Sequence, residues 1–378
     1  MPYLLVWIFA PEAFGSARSL SGDAQHVLDD GSFWSRLETP RDRSENASTV
    51  VNAYGYFRPM WNPLKTPFLT RCSSTLGFET DRYPTCDDVR VGLRLETWAD
   101  FGFSVMYEPH GTVHNMVGGT WSGHVAHGDL RQFVTNGTLD TYDLFQFVNP
   151  KGPWQHGVLV CPSFCSDDAD QASCTCHCPK QDAGASAYEV LEAAGLLDRW
   201  ADHFATRVSR NRGFVRRDAG RGPYLASGAR RVRVAVADED AFLEATVATM
   251  CTPGFSGSIM DSAANVDPLF WSVHAAVERL WQWKRASPSP YAYEWLSGSA
   301  ASNPNCREME NGHDVNNTRT WKNLFDDDDV FYTNHELHAL FDPANADLPY
   351  VFDHFEWPHC LTDEATDVRR FWQEDARP

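Results

Sequence analysis

The stretch DPLFWSVHAAVERLW, from Asp267 to Trp281, constrains this chain more than any other part of its 378 residues. Asp267 is a favoured helix N-cap residue, and Pro268 suits the first helical position, where its missing N–H costs nothing. Phe270, His274, Val277 and Trp281 follow at i, i+4, i+7 and i+11, which is one continuous helical stripe. The stripe turns His274 toward the core beside Phe270 and Val277. A histidine there reads either as a packed core side chain or as a metal ligand, and other imidazoles must decide between the two.

His110 and His114 stand four apart in EPHGTVHNMVGG. Pro109 fits a first helical turn, and the glycine pair Gly118-Gly119 fits the position just past a helix end. The pattern predicts a short helix of two to three turns. Both rings share one face of it, with Cβ atoms about 5–6 Å apart. That spacing lets two imidazoles meet one ion, although such a pair on its own also arises by chance on surfaces. Three imidazoles with no carboxylate or thiolate ligand nearby suit copper, or zinc.

Charge narrows the partners. With 51 acidic against 32 basic residues, the formal net charge is −19, which argues against nucleic acid and anionic membranes. The longest apolar run, residues 3–10, falls far short of the ~20 residues that span a bilayer. As a signal peptide the opening MPYLLVWIFAPEAFGSA lacks a basic n-region, and Pro2 and Trp7 sit awkwardly in it. Asn46, Asn136 and Asn316 begin glycosylation sequons. Cys161, Cys165, Cys174, Cys176 and Cys178 crowd around His177, which reads as a zinc site or as disulfides. The C-x-C-H-C packing departs from the usual C-x₂-C pairs, so disulfides are favoured, and with them an oxidising, secretory or extracellular compartment. Cys72, Cys86, Cys251, Cys306 and Cys360 are further candidates for pairing.

The remaining sequence divides by texture. Residues 1–90 read as long packed loops, and one helix is expected over 87–106. Residues 120–260 behave as an insertion. They hold an Ala/Leu-rich helix near 186–206, an arginine-rich run over 207–233 that reads as solvated surface, and RRVRVAVA at 230–237, which alternates like a strand. The tail is acidic and loop-rich, with a short helix from Asn334 to Leu340. His335 and His338 form H-E-x-H, not the H-E-x-x-H of zinc peptidases.

The segment SGSIMDSAANVDPLFWSVHAAVERLWQWKR resembles the second copper-binding signature of the tyrosinases, catechol oxidases and molluscan haemocyanins. EPHGTVHNMVGG looks like the same family's H-x₃-H helix, and GYFRPMWNPLKTPFLTR resembles the loop before it. LPYVFDHFEWPHC, with Tyr350-Val351-Phe352, is similar to the tyrosine motif that closes the family's core. The resemblance covers about half the chain, in the family's order. It implies a mainly α fold: a di-copper helical bundle core with ligands on facing helices, long loops and a large insertion. The core would comprise 1–119 and 261–378, interrupted by 120–260.

By the same resemblance His110, His114 and His274 are the three ligands of the second copper, copper B. Dioxygen and a phenolic small molecule are the implied partners, and oxidation of o-diphenols to quinones the implied activity. In the family, copper A is held by three histidines upstream, yet only His26 precedes His110 here. MPYLLVWIFAPEAF resembles the segment that follows the copper A helices, so the expectation is an incomplete chain carrying the copper B half. His124, His127 and His177 are poor substitutes for the other site. Gly111 follows His110 where monophenol-hydroxylating members often carry Asn, while Asn115 follows His114 instead; Val273 and Glu278 depart from the usual His and Asp, and catechols rather than monophenols are the expected substrates. Glu108 is the candidate proton acceptor by proximity. The competing reading is a non-catalytic, disulfide-braced copper-binding or interaction module derived from the family.

Overall fold

The computed structural model describes residues 10, 12–16, 26–44, 46–75, 78–79, 84–96, 98–122, 149–194, 213–218, 222–227, 236–287, 315–318, 322, 324, 329–355, 357 and 360. Helix far outweighs strand, 39% against 7%, so the fold is mainly α. In chain order the elements begin with the two-residue strands β1 (Ser74–Thr75) and β2 (Phe78–Glu79), then α1 (Cys86–Leu93) and α2 (Trp98–Val105). A π-helical turn, Met106–Gly111, leads into α3 (Thr112–Gly118) and β3 (Thr120–Trp121). Next come α4 (Lys151–Gln155), α5 (Pro179–Asp182), α6 (Ala187–Ala193), and the hairpin β4 (Gly213–Asp218) and β5 (Gly222–Ser227). Then follow α7 (Val236–Cys251), β6 (Phe255–Ser256), α8 (Leu269–Ala286) and α9 (Asn334–Leu340). All three two-stranded pairs are antiparallel, β1 with β2, β3 with β6, and β4 with β5.

The chain forms two compact units. One comprises Met1–Tyr83 with Gly111–Ser272, the other Pro84–His110 with Val273–Pro378. The boundaries at 110/111 and 272/273 fall inside helical stretches.

In the first unit, α6 and α7 build the main core, where Val190, Leu191, Leu243, Val247 and Met250 bury against Trp61 and Leu159. Ser186 and Glu189 form a capping box at the start of α6, satisfying two otherwise orphaned N–H groups. Cys161–Cys176, Cys165–Cys174 and Cys178–Cys251 are disulfide-bonded. The crowded cysteines are therefore staples, and His177 instead meets Asp182 through Nδ1 at 2.6 Å.

The loops of the first unit are packed as their composition predicts, and buried polar side chains hold them. The fully buried Arg58 donates to the carbonyls of Thr66 at 2.7 Å and Phe68 at 2.8 Å. Asn52 Nδ2 donates to the carbonyls of Asn62 and Leu64, each at 3.0 Å. These side chains give buried carbonyls the partners they require. The glycine pair also has a packing reason. A Cβ on Gly118 would strike Met260, and one on Gly119 (φ +60°) would strike the Cys72 carbonyl.

In the second unit α1, α2 and α8 enclose Leu93, Phe101, Val105, Leu280 and Trp283, with Trp357 and Phe355 packed against them. Lys284 Nζ donates to the Leu93 carbonyl at 2.8 Å, closing the C-terminus of α1. Cys86–Cys360 joins the two chain segments of this unit.

Several expectations change. The single helix over 87–106 is two helices: Arg94 caps α1, and the chain folds back so that Gly92 faces Ser104 of α2, where a Cβ would stand 2.9 Å from its Oγ. Pro109 does not open a new helix. It sits inside the π turn that follows α2, because a residue without an N–H, whose ring crowds the preceding turn, is accommodated by a wider coil. Val236 and Ala237, assigned to a strand, open α7 instead, and 230–235 lie outside the described residues. The helix expected over 186–206 is described only as α6, since 195–212 lie outside too. So do Asn136, His124, His127 and Cys306. Asn46 is exposed, and α9 has the bounds the sequence predicts.

Candidate metal centre

Helix α8 places His274 by the logic of its sequence. Asp267 Oδ1 accepts from the Leu269 N–H at 2.9 Å, the N-cap role expected of it. The same carboxylate is gripped by Arg71, whose Nε and Nη2 donate to it at 2.8 and 2.7 Å with both side chains fully buried. Arg71 also donates from Nη1 to the carbonyl of Phe14 at 2.8 Å. The start of α8 is thus fixed by a two-point ion pair that the sequence did not announce.

His110 is held by the π turn. Its Nδ1 lies 2.9 Å from the Met106 carbonyl. A carbonyl only accepts, so Nδ1 carries the proton and Nε2 holds a lone pair. That Nε2 stands 3.0 Å from His274 Nε2, with the two rings edge to face. His114 follows one turn along the same helical run. Its Nδ1 donates to the Ile259 carbonyl, and its ring lies edge-on to Phe270. Backbone carbonyls holding Nδ1–H are the usual outer partners of metal-binding imidazoles, since they fix the tautomer and aim Nε2. Within the second unit His110 and His274 bring two imidazole nitrogens together, a pair able to share one metal ion; His114, in the first unit, has its Nδ1–H held by a carbonyl in the same way.

Metal–imidazole bonds of about 2.0–2.1 Å set ligand nitrogens about 3 Å apart at right angles and about 4 Å apart at most. The 3.0 Å separation of His110 and His274 is within that range. In the metal-free pair His274 donates from Nε2 to His110, so binding requires only that its proton shift to Nδ1 or leave. Burial pushes the His110 pKa down, and burial followed by the neighbouring His110 pushes His274 down to about 4. Both rings are therefore neutral at pH 7, the form that ligates.

A cavity of about 560 Å³ opens beside this pair, within the second unit. Phe101, Val105, Val277, Trp281 and Phe341 give it apolar walls, and both His110 and His274 line it. Its remaining polar lining is Glu278, one turn along α8 from His274, and Tyr350. The Tyr350 hydroxyl donates to Glu278 Oε2, and Gln282 Nε2 donates to Oε1 at 3.3 Å. Burial and then this carboxylate raise the Tyr350 pKa to about 12, so it remains a donor.

The side chain of Glu108, the proton acceptor expected from sequence, lies outside the described residues. Asn115 turns back on its own helix, its Nδ2 donating to the Gly111 carbonyl at 3.0 Å. His338 packs on Arg285 and Trp281. Sequence reasoning treated Glu278 only as a departure from a pattern, although its i+4 spacing from His274 was enough to place it beside the site. No protein-family model, no curated protein and no solved structure matches the chain.

Proposed function

We propose that this chain is a copper-binding oxidoreductase of the tyrosinase and catechol oxidase kind, with His110, His114 and His274 as copper ligands and an o-diphenol as substrate. The observation that carries the reading is the approach of two neutral imidazole Nε2 atoms to 3.0 Å beside an aromatic-walled cavity. Three nitrogen donors without a thiolate or carboxylate suit copper among the biological metals, with zinc the nearest rival. Bound copper would supply electron exchange between a diphenol and dioxygen. The chain's own part is positional. The Met106 and Ile259 carbonyls hold the rings in the ligating tautomer. Phe101, Trp281 and Phe341 form a slot for a flat ring and exclude water from it. Glu278 stands within the slot as an acceptor for a phenolic or ammonium proton. Four disulfides fit an oxidising environment, where such a protein would be secreted. Among the described residues no helix is long and apolar enough to cross a membrane.

Copper titration of the chelator-treated protein tests the assignment. We expect one tightly bound ion per chain, and at least a hundredfold weaker binding in His110→Ala and in His274→Ala. Equal binding by either variant refutes it.

A second reading, copper binding without catalysis, draws on the proposed ligand set, whose three histidines suffice for one ion. The family's oxygen chemistry uses two ions, and a two-metal clamp needs them about 3.5–4 Å apart. Oxygen uptake by the copper-loaded chain with catechol separates the two: uptake supports the oxidase, and loading without uptake supports the binding module.

A further inference from the structure

The cavity beside His110 and His274 combines three properties that together select a ligand charge. Four of its lining residues are aromatic: Phe101, Trp281, Phe341 and Tyr350. Among the described lining residues one is a carboxylate, Glu278, and none is lysine or arginine. Arg285 covers one face of Trp281 at 5.2 Å and is already paired with Asp342. Aromatic faces attract organic cations through the negative ring quadrupole, and a carboxylate among them adds a direct charge partner. An anionic ligand would be repelled by the same carboxylate. The chain's net charge of −19 adds to that bias at long range.

We propose that this cavity selects phenols bearing an ammonium group, an aryl-alkylamine class, over neutral phenols and above all over phenols bearing a carboxylate, and that Glu278 is the residue that reads the charge. The inference rests on the proposed phenol-binding role of the same site. The ring would occupy the slot between Phe101, Trp281 and Phe341, with the ammonium directed to Glu278. Tyr350 holds Glu278 in place through its hydroxyl and contributes a ring face.

The test is calorimetric binding to the metal-free chain, using three probes of one ring and one chain length: tyramine, 4-ethylphenol and 3-(4-hydroxyphenyl)propionate. Tyramine should bind about tenfold more tightly than 4-ethylphenol, and the propionate most weakly. In Glu278→Gln the order should collapse to near equality. Tyr350→Phe, which keeps the carboxylate, should retain it, and the native circular dichroism of both variants checks that they fold. Equal affinities, a preference for the propionate, an unchanged order in Glu278→Gln, or no binding of any probe at millimolar concentration each overturns the proposal. Copper titration of the same samples keeps the two readings apart. Copper binding without charge selectivity refutes only this inference, while charge selectivity without copper binding refutes only the metal assignment.

Discussion

Arg71 and Asp267 show how much of the site depends on residues that never touch it. Both are fully buried, and their two-point contact joins positions 196 residues apart at the start of the helix that carries His274. Removing one charge strands the other in the interior, so Arg71→Ala should destabilise the protein by about 3–5 kcal/mol. Arg71→Met with Asp267→Asn, which keeps a side-chain oxygen for the Leu269 N–H, should cost less than the two single changes combined. Urea unfolding of the four proteins measures both. Asp261 supplies a pH signature in the same unit. Burial raises its pKa to about 7, with Asn62 and then Arg58 only partly offsetting the effect. The unfolded chain loses that proton near pH 4, so the folded state binds more protons between about 4 and 7. Stability contributed by Asp261 is therefore lost as pH rises through that window and changes little above it. Asp261→Asn should be progressively more stable than the parent from pH 4 to 7, which urea midpoints at four pH values would show. At this scale the sequence disclosed His274, because helical periodicity fixes which way a side chain faces. It did not disclose the Arg71–Asp267 pair, because nothing local links residues so far apart.

Among the elements, the start of α8 was legible to within a residue or two, since its cap, its proline and its apolar stripe agree. Helix α9 has the bounds expected of it, and a Thr333–Glu336 capping box starts it. Helix α7 went unread, although Leu243, Val247 and Met250 fall at i, i+4 and i+7 and are all buried; the surrounding arginine-rich and cysteine-rich text masked the period. The π turn could not have been foreseen, because a proline announces a break in α-helix and not which coil replaces it. The glycine pair after His114 is different again. Its helix-stop role was plain in sequence, but its second role, admitting Gly257 and Met260 against the backbone, is tertiary. The backbone there is tied by hydrogen bonds from Cys72 N to Gly118 O at 2.9 Å and from Gly257 N to Gly119 O at 3.1 Å. A methyl at Gly257 would collide with the Gly118 carbonyl, which cannot yield without breaking that ladder. Gly257→Ala should therefore cost several times the ~1 kcal/mol typical of a point mutation. Exposed Gly184→Ala, strained by its φ of +84° but with nothing near its Cβ, should cost less. Thermal unfolding of the pair ranks them.

At the scale of the whole molecule, covalent links stand in for regular structure. The sequence favoured disulfides as a class, since the crowding of Cys161 to Cys178 suits no common zinc spacing, but their partners depend on the fold. The four bonds differ in what they close. Cys165–Cys174 spans 9 residues of a loop, whereas Cys86–Cys360 spans 274 and ties together the two chain segments of the second unit. Chain-entropy arguments assign about 2–3 kcal/mol to a loop of ten residues and about 5–6 kcal/mol to one of nearly three hundred, the latter an upper bound when other links already restrict the unfolded chain. Cys86→Ala with Cys360→Ala should thus lower the urea midpoint more than Cys165→Ala with Cys174→Ala. The site adds a second readout. His110 and His274 both belong to the unit closed by Cys86–Cys360, and a ligand that binds only the folded form returns about 2.7 kcal/mol at a hundred times its dissociation constant. Copper should therefore recover a large part of the midpoint lost by the Cys86/Cys360 variant and none of it once His274→Ala is added. A recovery that persists without His274 would mean that the stabilising ion binds elsewhere.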